Sequence, residues 1–454
     1  MSMPVLLTLP LGLDNGLGRL PPLTFSVWNF FGLHANESVV LETAAALEAT
    51  GLRKLGYDTV TIDAGSLAGR DPVSSKLLVN LDRFPSGLRN LSDTLHAMNF
   101  KFGAYNDISG HTCGQGPHCG SLGHYELDAK TFAHDWKIDY LKVDFCGASL
   151  PGKPDPLCVP VEAKAQLAAW SALRDALNAT GRPIYYSICP HALASGVGTN
   201  VPKDHLNYAP PAEWSEADRH GLANSILVEY ENTMDGWVVD TSRSFGLIYN
   251  IDAMVAATNL SYSAPGSWND ADMLQICSYG KGTTQGDGMT LSEYRVHYTV
   301  WAILASPLIL GTDVRPLARG EHPDCLQLLL NADIVAVNQD AAGLPPRLVS
   351  QAPPYGSAAA TTLSITAQVF ARPLSGGRLA VLLLNRATAP AKLEATWAEL
   401  GLPAAATVNV YDVAARRAAG SATGAYSATV APHDVSFVVL APQPGGEPLH
   451  AGRR

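Results

Sequence analysis

The 454-residue sequence lacks the features of a membrane protein and of a nucleic-acid-binding protein. None of its apolar runs approaches the roughly 18–20 residues needed to span a bilayer. It also has no basic excess, since 31 Lys and Arg stand against 41 Asp and Glu, a formal net charge of −10. We therefore expect neither nucleic acid nor a membrane surface as a partner, and a neutral small molecule or sugar fits the charge better.

Several catalytic motifs are missing as well. The 13 histidines include no His-Glu-x-x-His sequence and no tight His-x-His pair, so no metal or other cofactor is predicted. The sequence contains no Gly-x-Ser-x-Gly elbow and no Gly-x-x-x-x-Gly-Lys phosphate loop. None of the seven cysteines pairs with another at a zinc-finger spacing. Carboxylates are the abundant reactive groups that remain.

The first 340 residues alternate between two kinds of segment. Short β-rich runs alternate with Ala/Leu-rich segments of helical period, and eight such strands favour a (β/α)₈ barrel, assigned to residues 13–340, over an open sheet. The predicted strands are Thr24–Phe30, Thr59–Asp63, Phe102–Asn106, Tyr140–Phe145, Ile184–Cys189, Ile226–Glu231, Gly266–Asn269 and Pro307–Gly311. The predicted helices are Glu37–Thr50, Gly87–Met98, Leu127–Asp135, Glu162–Asn178, Ser242–Ala257, Ser292–Ala305 and Asp324–Leu330.

The remaining sequence changes to short alternating strands punctuated by Gly, Pro, Asn and Asp. This pattern predicts an antiparallel β-sandwich over residues 345–441, without catalytic residues of its own. The tail, residues 442–454, is rich in Pro, Gly and Arg and is predicted to be disordered. The predicted strands are Thr361–Ala371, Arg378–Asn385, Lys392–Thr396, Thr407–Asp412, Ala425–Val430 and Ser436–Leu440.

The fourth predicted barrel strand ends in Lys142-Val143-Asp144. Side chains two residues apart on a strand share a face, and an adjacent ammonium favours the ionised form of a carboxylate. In (β/α)₈ barrels the site lies at the carboxyl ends of the strands, where Asp144 falls. These residues alone fit a structural ion pair equally well.

Other polar residues fall at the same rim and allow one particular chemistry. Asp63 and Tyr105 end the second and third predicted strands. A pair of carboxyl groups across a barrel mouth is the requirement for glycoside hydrolysis, and roughly 5–5.5 Å between them gives retention of configuration. Asp144 is the expected nucleophile. Glu229 and Glu231 share one face of the sixth strand, and Glu231, nearer the rim, is the expected acid, although a solvated pair would explain them equally well.

The sequence contains Arg83–Leu88, Tyr140–Asp144, Trp268–Leu274 and Ser306–Arg315. Together with four further motifs, they resemble glycoside hydrolase family 27, the α-galactosidases. They occur in family order from Leu13 to Asp340, and the β-rich remainder is similar to the family's C-terminal domain. The motifs are Leu13–Arg19 with Pro21-Pro22, Arg83–Leu88, Gly120–His124, Asp128–Phe132, Tyr140–Asp144, Trp268–Leu274, Ser306–Arg315 and Ala336–Asp340.

The resemblance implies a barrel with an antiparallel domain and retaining hydrolysis with Asp144 as the nucleophile. It places Asp63, Tyr105 and Lys142 in contact with the sugar. It also implies a disulfide between Cys113 and Cys146 beside the site, with Cys113 near the substrate. A disulfide implies an oxidising compartment, hence a secreted, lysosomal or vacuolar protein, although the apolar stretch Val5–Leu13 lacks a basic segment before it and is a poor signal peptide as written.

Four Asn-x-Ser/Thr sequons predict a glycoprotein if the chain enters the secretory route. They begin at Asn36, Asn90, Asn178 and Asn259.

The sequence departs from the family at the sugar site. Phe25 replaces a tryptophan expected to line the pocket, Ala64 replaces the second carboxylate of an Asp-Asp pair, and Leu227 replaces an arginine. Four residues after Leu227, Glu231 takes the place of the acid/base aspartate, whereas counting back from Trp237 puts Asn232 there. Glu229 and Asp235 remain alternative acids, and we favour Glu231.

Three functional hypotheses follow. The leading one is a retaining exo-glycosidase that acts on terminal α-D-galactosides of an oligosaccharide or glycoconjugate. The second is a relative of different specificity, such as a β-L-arabinopyranosidase, because the pocket residues differ. The third is a catalytically silent carbohydrate-binding barrel, because the acid/base position is altered. The sequence leaves the oligomeric state open, with a homodimer as one option.

Overall fold

A closed ring of eight parallel strands forms the first domain. The computed structural model describes residues 15–113, 116–117, 119–149, 156–160, 162–190, 214–228, 232–238, 244–258, 263–283, 286–357, 359–443 and 449. The first and eighth strands pair in parallel, and a parallel bridge between Leu274 and Leu310 closes the ring. The strands are β1 Leu23–Ser26, β2 Thr59–Thr61, β3 Lys101–Asp107, β4 Tyr140–Asp144, β5 Tyr185–Ile188, β6 Ser225–Leu227, β7 Trp268–Asp270 and β8 Leu308–Leu310.

Helices follow the barrel strands and pack outside them. Capping residues set both ends of the 14-residue helix Glu37–Thr50. At its start the Asn36 side chain accepts the Val39 N–H at 3.0 Å, and at its end Gly51 adopts a φ of 84°. The helices are α1 Trp28–Phe31, α2 Glu37–Thr50, α3 Leu52–Leu55, α4 Gly87–Ala97, α5 Tyr125–Lys130, α6 Ala163–Ala179, α7 Glu216–Leu222, α8 Leu247–Thr258, α9 Leu291–Ile303, α10 Arg315–Ala318, α11 Pro323–Leu329, α12 Ala332–Asn338 and α13 Trp397–Leu400. Among the described residues, none of these helices is both long and apolar enough to cross a membrane.

The second domain is an antiparallel sandwich. A six-stranded sheet, in the order β9-β10-β11-β16-β13-β14, faces the smaller pair β12 and β15. Its strands are β9 Arg347–Ala352, β10 Ala367–Leu374, β11 Arg378–Asn385, β12 Ala391–Thr396, β13 Thr407–Asp412, β14 Arg417–Thr423, β15 Ala425–Val430 and β16 Asp434–Pro442. The barrel and the antiparallel domain are therefore confirmed. Most of the predicted disordered tail, residues 444–448 and 450–454, lies outside the described residues.

Two strands of the second domain were not predicted, and both lie at an edge of the six-stranded sheet. β14, Arg-Ala-Ala-Gly-Ser-Ala-Thr, is exposed at almost every position, and β9 is only half-buried. An edge strand with little buried surface carries few of the apolar, β-branched residues on which strand prediction depends. The alternation that reveals a half-buried strand is therefore weak or absent in both.

The large sheet buries both of its faces. Alternate residues of β11 point in opposite directions: Leu379, Val381 and Leu383 join the core of the sandwich, whereas Leu382 and Leu384 join the core shared with the barrel. The large sheet is thus the middle layer, between the barrel helices on one side and the strand pair of β12 and β15 on the other.

Polar contacts supplement this apolar interface. Arg372 of β10 is fully buried and donates hydrogen bonds to the backbone carbonyls of Val337, Asn338 and Leu344 at 2.7–3.2 Å. Arg386 pairs with Asp252 of α8 at 2.6 Å. The carbonyls around Arg372 and the Asp252 carboxylate beside Arg386 offset part of the cost of burying these two charges.

Helix α9, which packs against this sheet, contains a buried histidine. His297 is fully buried, and the centre of its ring lies 4.3 Å from that of Trp301 in an edge-on arrangement. Neither nitrogen of the imidazole has a hydrogen-bond partner. Burial lowers the pKa of His297 to about 3. The imidazole is therefore neutral in the folded protein over most of the acidic range, whereas it binds a proton below about pH 6.5 in the unfolded chain.

We therefore predict that His297 makes the protein less stable as the pH falls from 6.5 towards 3. Between pH 7 and 4.5 the loss due to this residue is about 2–3 kcal/mol. His297→Phe keeps a ring against Trp301 but cannot titrate, so its unfolding free energy in urea should fall less steeply over this range than that of the wild type. Parallel pH profiles for the two proteins would contradict the prediction.

Candidate active site

One ammonium group lies between two carboxylates at the carboxyl end of the barrel. The Nζ of Lys142 is 3.0 Å from Oδ2 of Asp63 and 3.7 Å from Oδ1 of Asp144. Asp144 is the last residue of β4, and Asp63 lies two residues beyond the end of β2. Both carboxylates are buried, with 3% of Asp63 and 9% of Asp144 exposed. The structure thus brings together three of the residues that the sequence singled out.

Tyr105 completes this group from the neighbouring strand. The β3–β4 ladder places Tyr105 opposite Lys142. The ammonium lies 5.4 Å from the centre of the tyrosine ring, within the range of a cation–π contact. Burial first, and then the negative charge of Asp144, raise the pKa of Tyr105, so its hydroxyl stays protonated and can donate a hydrogen bond.

The charges of this group depend on one another. Burial alone would lower the pKa of Lys142, but the carboxylates of Asp144 and Asp63 outweigh it and hold the pKa above its usual value. Burial raises the pKa of Asp144; Lys142 opposes the rise and Asp63 adds to it. The lysine therefore remains a cation, and its charge is what favours the ionised form of a deeply placed Asp144.

A disulfide joins the segments that follow β3 and β4. Cys113 and Cys146 are bonded, with Cα atoms 5.4 Å apart, and the Sγ of Cys113 lies 3.4 Å from Oδ2 of Asp144. The predicted pairing is confirmed. Disulfide sulfurs are not thiolates, so this pair and the nearby Asp107 do not form a metal site.

Asp107, at the end of β3, also joins the segments that follow β3 and β4. Its carboxyl accepts the Cys146 N–H at 2.6 Å and both the N–H and the hydroxyl of Ser109 at 2.8 and 2.7 Å. Burial raises the pKa of Asp107 to about 8, against the opposing effect of these hydrogen bonds. Nothing in the sequence indicated this bracing contact of Asp107.

Two more carboxyls lie across the mouth, at the end of β7. Asp272 has a positive φ of 69°, and its Oδ2 accepts the N–H and the hydroxyl of Thr233 at 2.6 and 3.0 Å. Burial, and then the charge of Asp272, raise the pKa of Asp270 to about 7. Lys142 and Asp144 both interact electrostatically with Asp272, so the β7 carboxyls belong to the same group of charges.

Comparisons with known proteins give this arrangement a family. The family model described as Alpha galactosidase A matches residues 34–340, about two thirds of the chain, and the Alpha galactosidase C-terminal beta sandwich domain matches residues 365–440. Alpha-galactosidase 3 of Arabidopsis thaliana is 36% identical over 435 residues, which cover 95% of this chain and 84% of the relative. The chain belongs to the α-galactosidase family, glycoside hydrolase family 27. It is a glycoside hydrolase.

Other α-galactosidases agree in sequence and in structure. The enzyme of Coffea arabica is 35% identical, with 95% of this chain and 96% of its own length covered. The crystal structure of alpha-galactosidase I from Mortierella vinacea is 28% identical and aligns with a TM-score of 0.76, covering 94% of this chain and 98% of that one. The match spans both domains.

Of the three carboxyl groups proposed as the acid, the structure describes only that of Asp235. Glu229 and Glu231 lie outside the described residues. Asp235 is described: it is fully buried, and its Oδ2 accepts the Tyr294 hydroxyl at 3.1 Å, on the side of α9. Burial raises the pKa of Asp235 to about 6, opposed by the hydrogen bond from the Gly280 N–H. The described contacts of Asp235 therefore join it to α9 and the Gly280 turn.

Two departures from the α-galactosidase pattern fall in different environments. Phe25 is fully buried, so the expectation that it lines the sugar pocket is wrong. The strand register places it on the face of the barrel sheet opposite to Lys142, so its ring points away from the barrel interior. Trp28, at the start of α1, is instead partly exposed at the end of that strand. Ala64 is buried beside Asp63 and donates its backbone N–H to Oδ1 of that residue at 2.7 Å.

A second disulfide was not predicted. Cys277 and Cys325 are bonded, with Cα atoms 6.0 Å apart, and the bond ties the segment after β7 to α11. Their separation of 48 residues corresponds to no recognisable motif. Only the folded chain brings them together. Cys119 and Cys189 are buried free thiols.

The pKa of Asp144 sets the expected acidic limit of activity. As the nucleophile expected from the sequence, Asp144 would have to be ionised to attack a substrate, so we expect activity to fall as the pH drops through its pKa. Since that pKa is raised, the acidic limb of kcat/KM should lie above the value of about 3.9 typical of aspartate.

Two variants test this assignment. Asp63→Asn removes a neighbouring negative charge and should move the limb to lower pH. Lys142→Met removes the opposing positive charge and should move it to higher pH. The limb is measured as residual kcat/KM against pH, and shifts in the same direction for both variants would contradict the model of coupled charges.

Proposed function

We propose that the protein hydrolyses terminal α-D-galactosides with retention of configuration, using Asp144 as the nucleophile and Glu231 as the acid/base. One observation carries the proposal: Asp144 lies at the carboxyl end of β4, 3.7 Å from an ammonium that Asp63 holds in place. A buried aspartate needs such a cation to be an anion at the pH of catalysis. The relatives named α-galactosidase support the choice of sugar.

The reaction proceeds in two displacements. In the first, a carboxylate oxygen of Asp144 bonds to the anomeric carbon as the glycosidic bond breaks, and Glu231 gives its proton to the departing oxygen. In the second, Glu231 takes a proton from water, whose oxygen attacks the anomeric carbon and releases Asp144. The water supplies both the new hydroxyl and the proton that returns the acid to its starting state.

The remaining site residues hold the sugar. Asp63 and Lys142 present a carboxylate and an ammonium that can each bond a sugar hydroxyl, while Tyr105 donates its phenolic proton. Cys113, 3.4 Å from Asp144, forms part of the wall beside the reacting carbon. Each hydrogen bond between a charged group and the sugar contributes roughly 1.5–3 kcal/mol, so these few contacts suffice to orient one ring.

One prediction of the proposed function concerns the nucleophile. Asp144→Asn should reduce hydrolysis of 4-nitrophenyl α-D-galactopyranoside by more than about 1,000-fold, because the amide cannot form the glycosyl ester. The release of 4-nitrophenol measures the rate, and circular dichroism checks the fold. A 2-deoxy-2,2-difluoro galactosyl donor should add one sugar mass to Asp144 in the wild type. Residual turnover close to that of the wild type would exclude Asp144.

A second prediction separates the candidate acids. Glu231→Gln should lose far more activity towards an oligosaccharide such as raffinose than towards the 4-nitrophenyl substrate, since nitrophenol leaves without needing a proton. Glu229→Gln and Asp235→Asn are matched controls that also remove one carboxylate each. If one of the controls shows this leaving-group dependence and Glu231→Gln does not, that control identifies the acid.

A different sugar specificity is the second candidate, and Ala64 is the observation that favours it. A methyl group stands beside Asp63 where the family has a second carboxylate, so one contact to a sugar hydroxyl is absent there. We therefore include the 4-nitrophenyl β-L-arabinopyranoside, which lacks the exocyclic carbon, in the substrate panel. If kcat/KM for this arabinoside is at least about tenfold higher than for the α-galactoside, arabinopyranose replaces galactose as the proposed sugar. The absence of turnover of any glycoside would favour the silent barrel.

The proposed localisation is the secretory route, ending outside the cell or in a lysosome or vacuole. The two disulfides fit an oxidising compartment. Asn90 and Asn178 are exposed and so are accessible to glycosylation.

A further inference from the structure

A turn of the second domain contacts the segment that follows the sixth barrel strand. His433, between β15 and β16, stacks on the indole of Trp237 with 4.4 Å between ring centres and 12° between planes. Trp237 belongs to the described segment 232–238, which also contains Thr233 and Asp235. The second domain therefore contacts the segment next to the residue proposed as the acid.

The His433 ring is held firmly. Its Nδ1 lies 2.8 Å from Oε1 of Glu293, and the other oxygen of Glu293 accepts the N–H and the hydroxyl of Thr290 at 2.8 and 2.9 Å. This capping box fixes Glu293 at the first turn of α9. Asp434, the next residue, pairs with Arg295 of the same helix through two contacts of 2.9 Å.

The backbone of His433 indicates that the position is constrained. Its φ is 47°, in the left-handed region that only a few per cent of non-glycine residues adopt, histidine more often than most. The turn keeps a bulky ring in this conformation, and that ring makes both the Trp237 stack and the Glu293 contact.

The segment 232–238 connects the stack to the barrel mouth. At its far end, the N–H and hydroxyl of Thr233 bind Oδ2 of Asp272, and the Asn250 side chain donates to the Thr233 hydroxyl at 2.6 Å. In the middle, Asp235 accepts the Tyr294 hydroxyl. Only three residues therefore separate Thr233, which binds a mouth carboxyl, from Trp237, which contacts the second domain.

We propose that His433 is a positioning residue, which acts through Trp237 and Thr233 to hold the segment after β6 and the Asp272 carboxyl in their catalytic geometry. The inference rests on the proposed function, in which Glu231 immediately precedes this segment. In this view the second domain supplies one of the supports of the active site. A shift of the segment would move both Glu231 and the hydrogen bonds of Asp272.

The test compares two substitutions in the same turn. His433→Asn removes the stacking ring but suits the positive φ, and Asp434→Asn weakens the Arg295 pair while leaving the ring in place. We expect His433→Asn to lower kcat by at least about tenfold with KM changed less, because small misplacements of catalytic groups reduce the rate steeply. Asp434→Asn should stay within about twofold, although it weakens the same domain contact. His433→Phe, which keeps the ring, should restore most of the rate.

Hydrogen exchange provides a readout that does not depend on activity. The amides of Thr233 and of Leu247, which donates to the Gly236 carbonyl at 2.9 Å, should exchange faster in His433→Asn than in the wild type or in Asp434→Asn. A double-mutant cycle with Trp237→Ala should show coupling, with little further loss in kcat when both rings are removed.

The outcomes separate the two proposals. Equal losses of kcat in His433→Asn and Asp434→Asn, or unchanged exchange at Thr233 in His433→Asn, would overturn the positioning role. If the wild type hydrolyses no glycoside in the panel, the proposed function fails, and the exchange comparison alone still decides whether His433 holds the segment.

Discussion

The active site depends on a single cation. Lys142 is the described ammonium that lies within 4 Å of both Asp63 and Asp144. Buried carboxylates without a partner cost several kcal/mol each, so the lysine supports both the fold of the barrel mouth and the negative charge of Asp144. Its position in turn requires β2 and β4 to be at their observed registers, with Tyr105 on β3 between them.

The two sides of the mouth are supported differently. On the β3–β4 side, short-range constraints suffice: a disulfide, the Asp107 carboxyl and the strand ladder all act within 40 residues of sequence. On the β6–β7 side the constraints are long-range, because Thr233 binds Asp272 and Trp237 meets His433 from the other domain. Each side keeps one of the family's motifs, Tyr140–Asp144 or Trp268–Leu274, whereas Leu227, in place of the expected arginine, lies on the second side.

Much of this structure could be predicted from the sequence where local chemistry decided it. The Lys142-Val143-Asp144 motif predicted the contact between Lys142 and Asp144 because period-two geometry alone puts both side chains on one face. Helix α2 was predicted with its observed bounds, since a capping Asn36 and a terminating Gly51 stand at its ends. The Cys113–Cys146 pair followed from the resemblance to the family.

The misses share a physical cause, which is dependence on contacts between distant segments. Cys277 and Cys325 meet only after β7 and α11 have packed, and the edge strands β9 and β14 are defined by pairing with a neighbour rather than by their own apolar pattern. Phe25 was assigned to the pocket because a motif match does not show in which direction a side chain points. The Asp235 carboxyl, likewise, is placed by Tyr294, 59 residues away.

Arg372 has a further consequence for how the chain can be divided. The last carbonyls of a helix have no partner within that helix, and at the end of α12 those of Val337 and Asn338 receive the guanidinium of a strand in the next domain. The C-terminal end of the barrel's final helix is thus capped by a residue of the second domain, which lies more than 30 positions later in the sequence. The two family matches, which end at residue 340 and begin at residue 365, therefore do not mark two separately capped units, because the last helix of the barrel receives its hydrogen-bond donor from the sandwich.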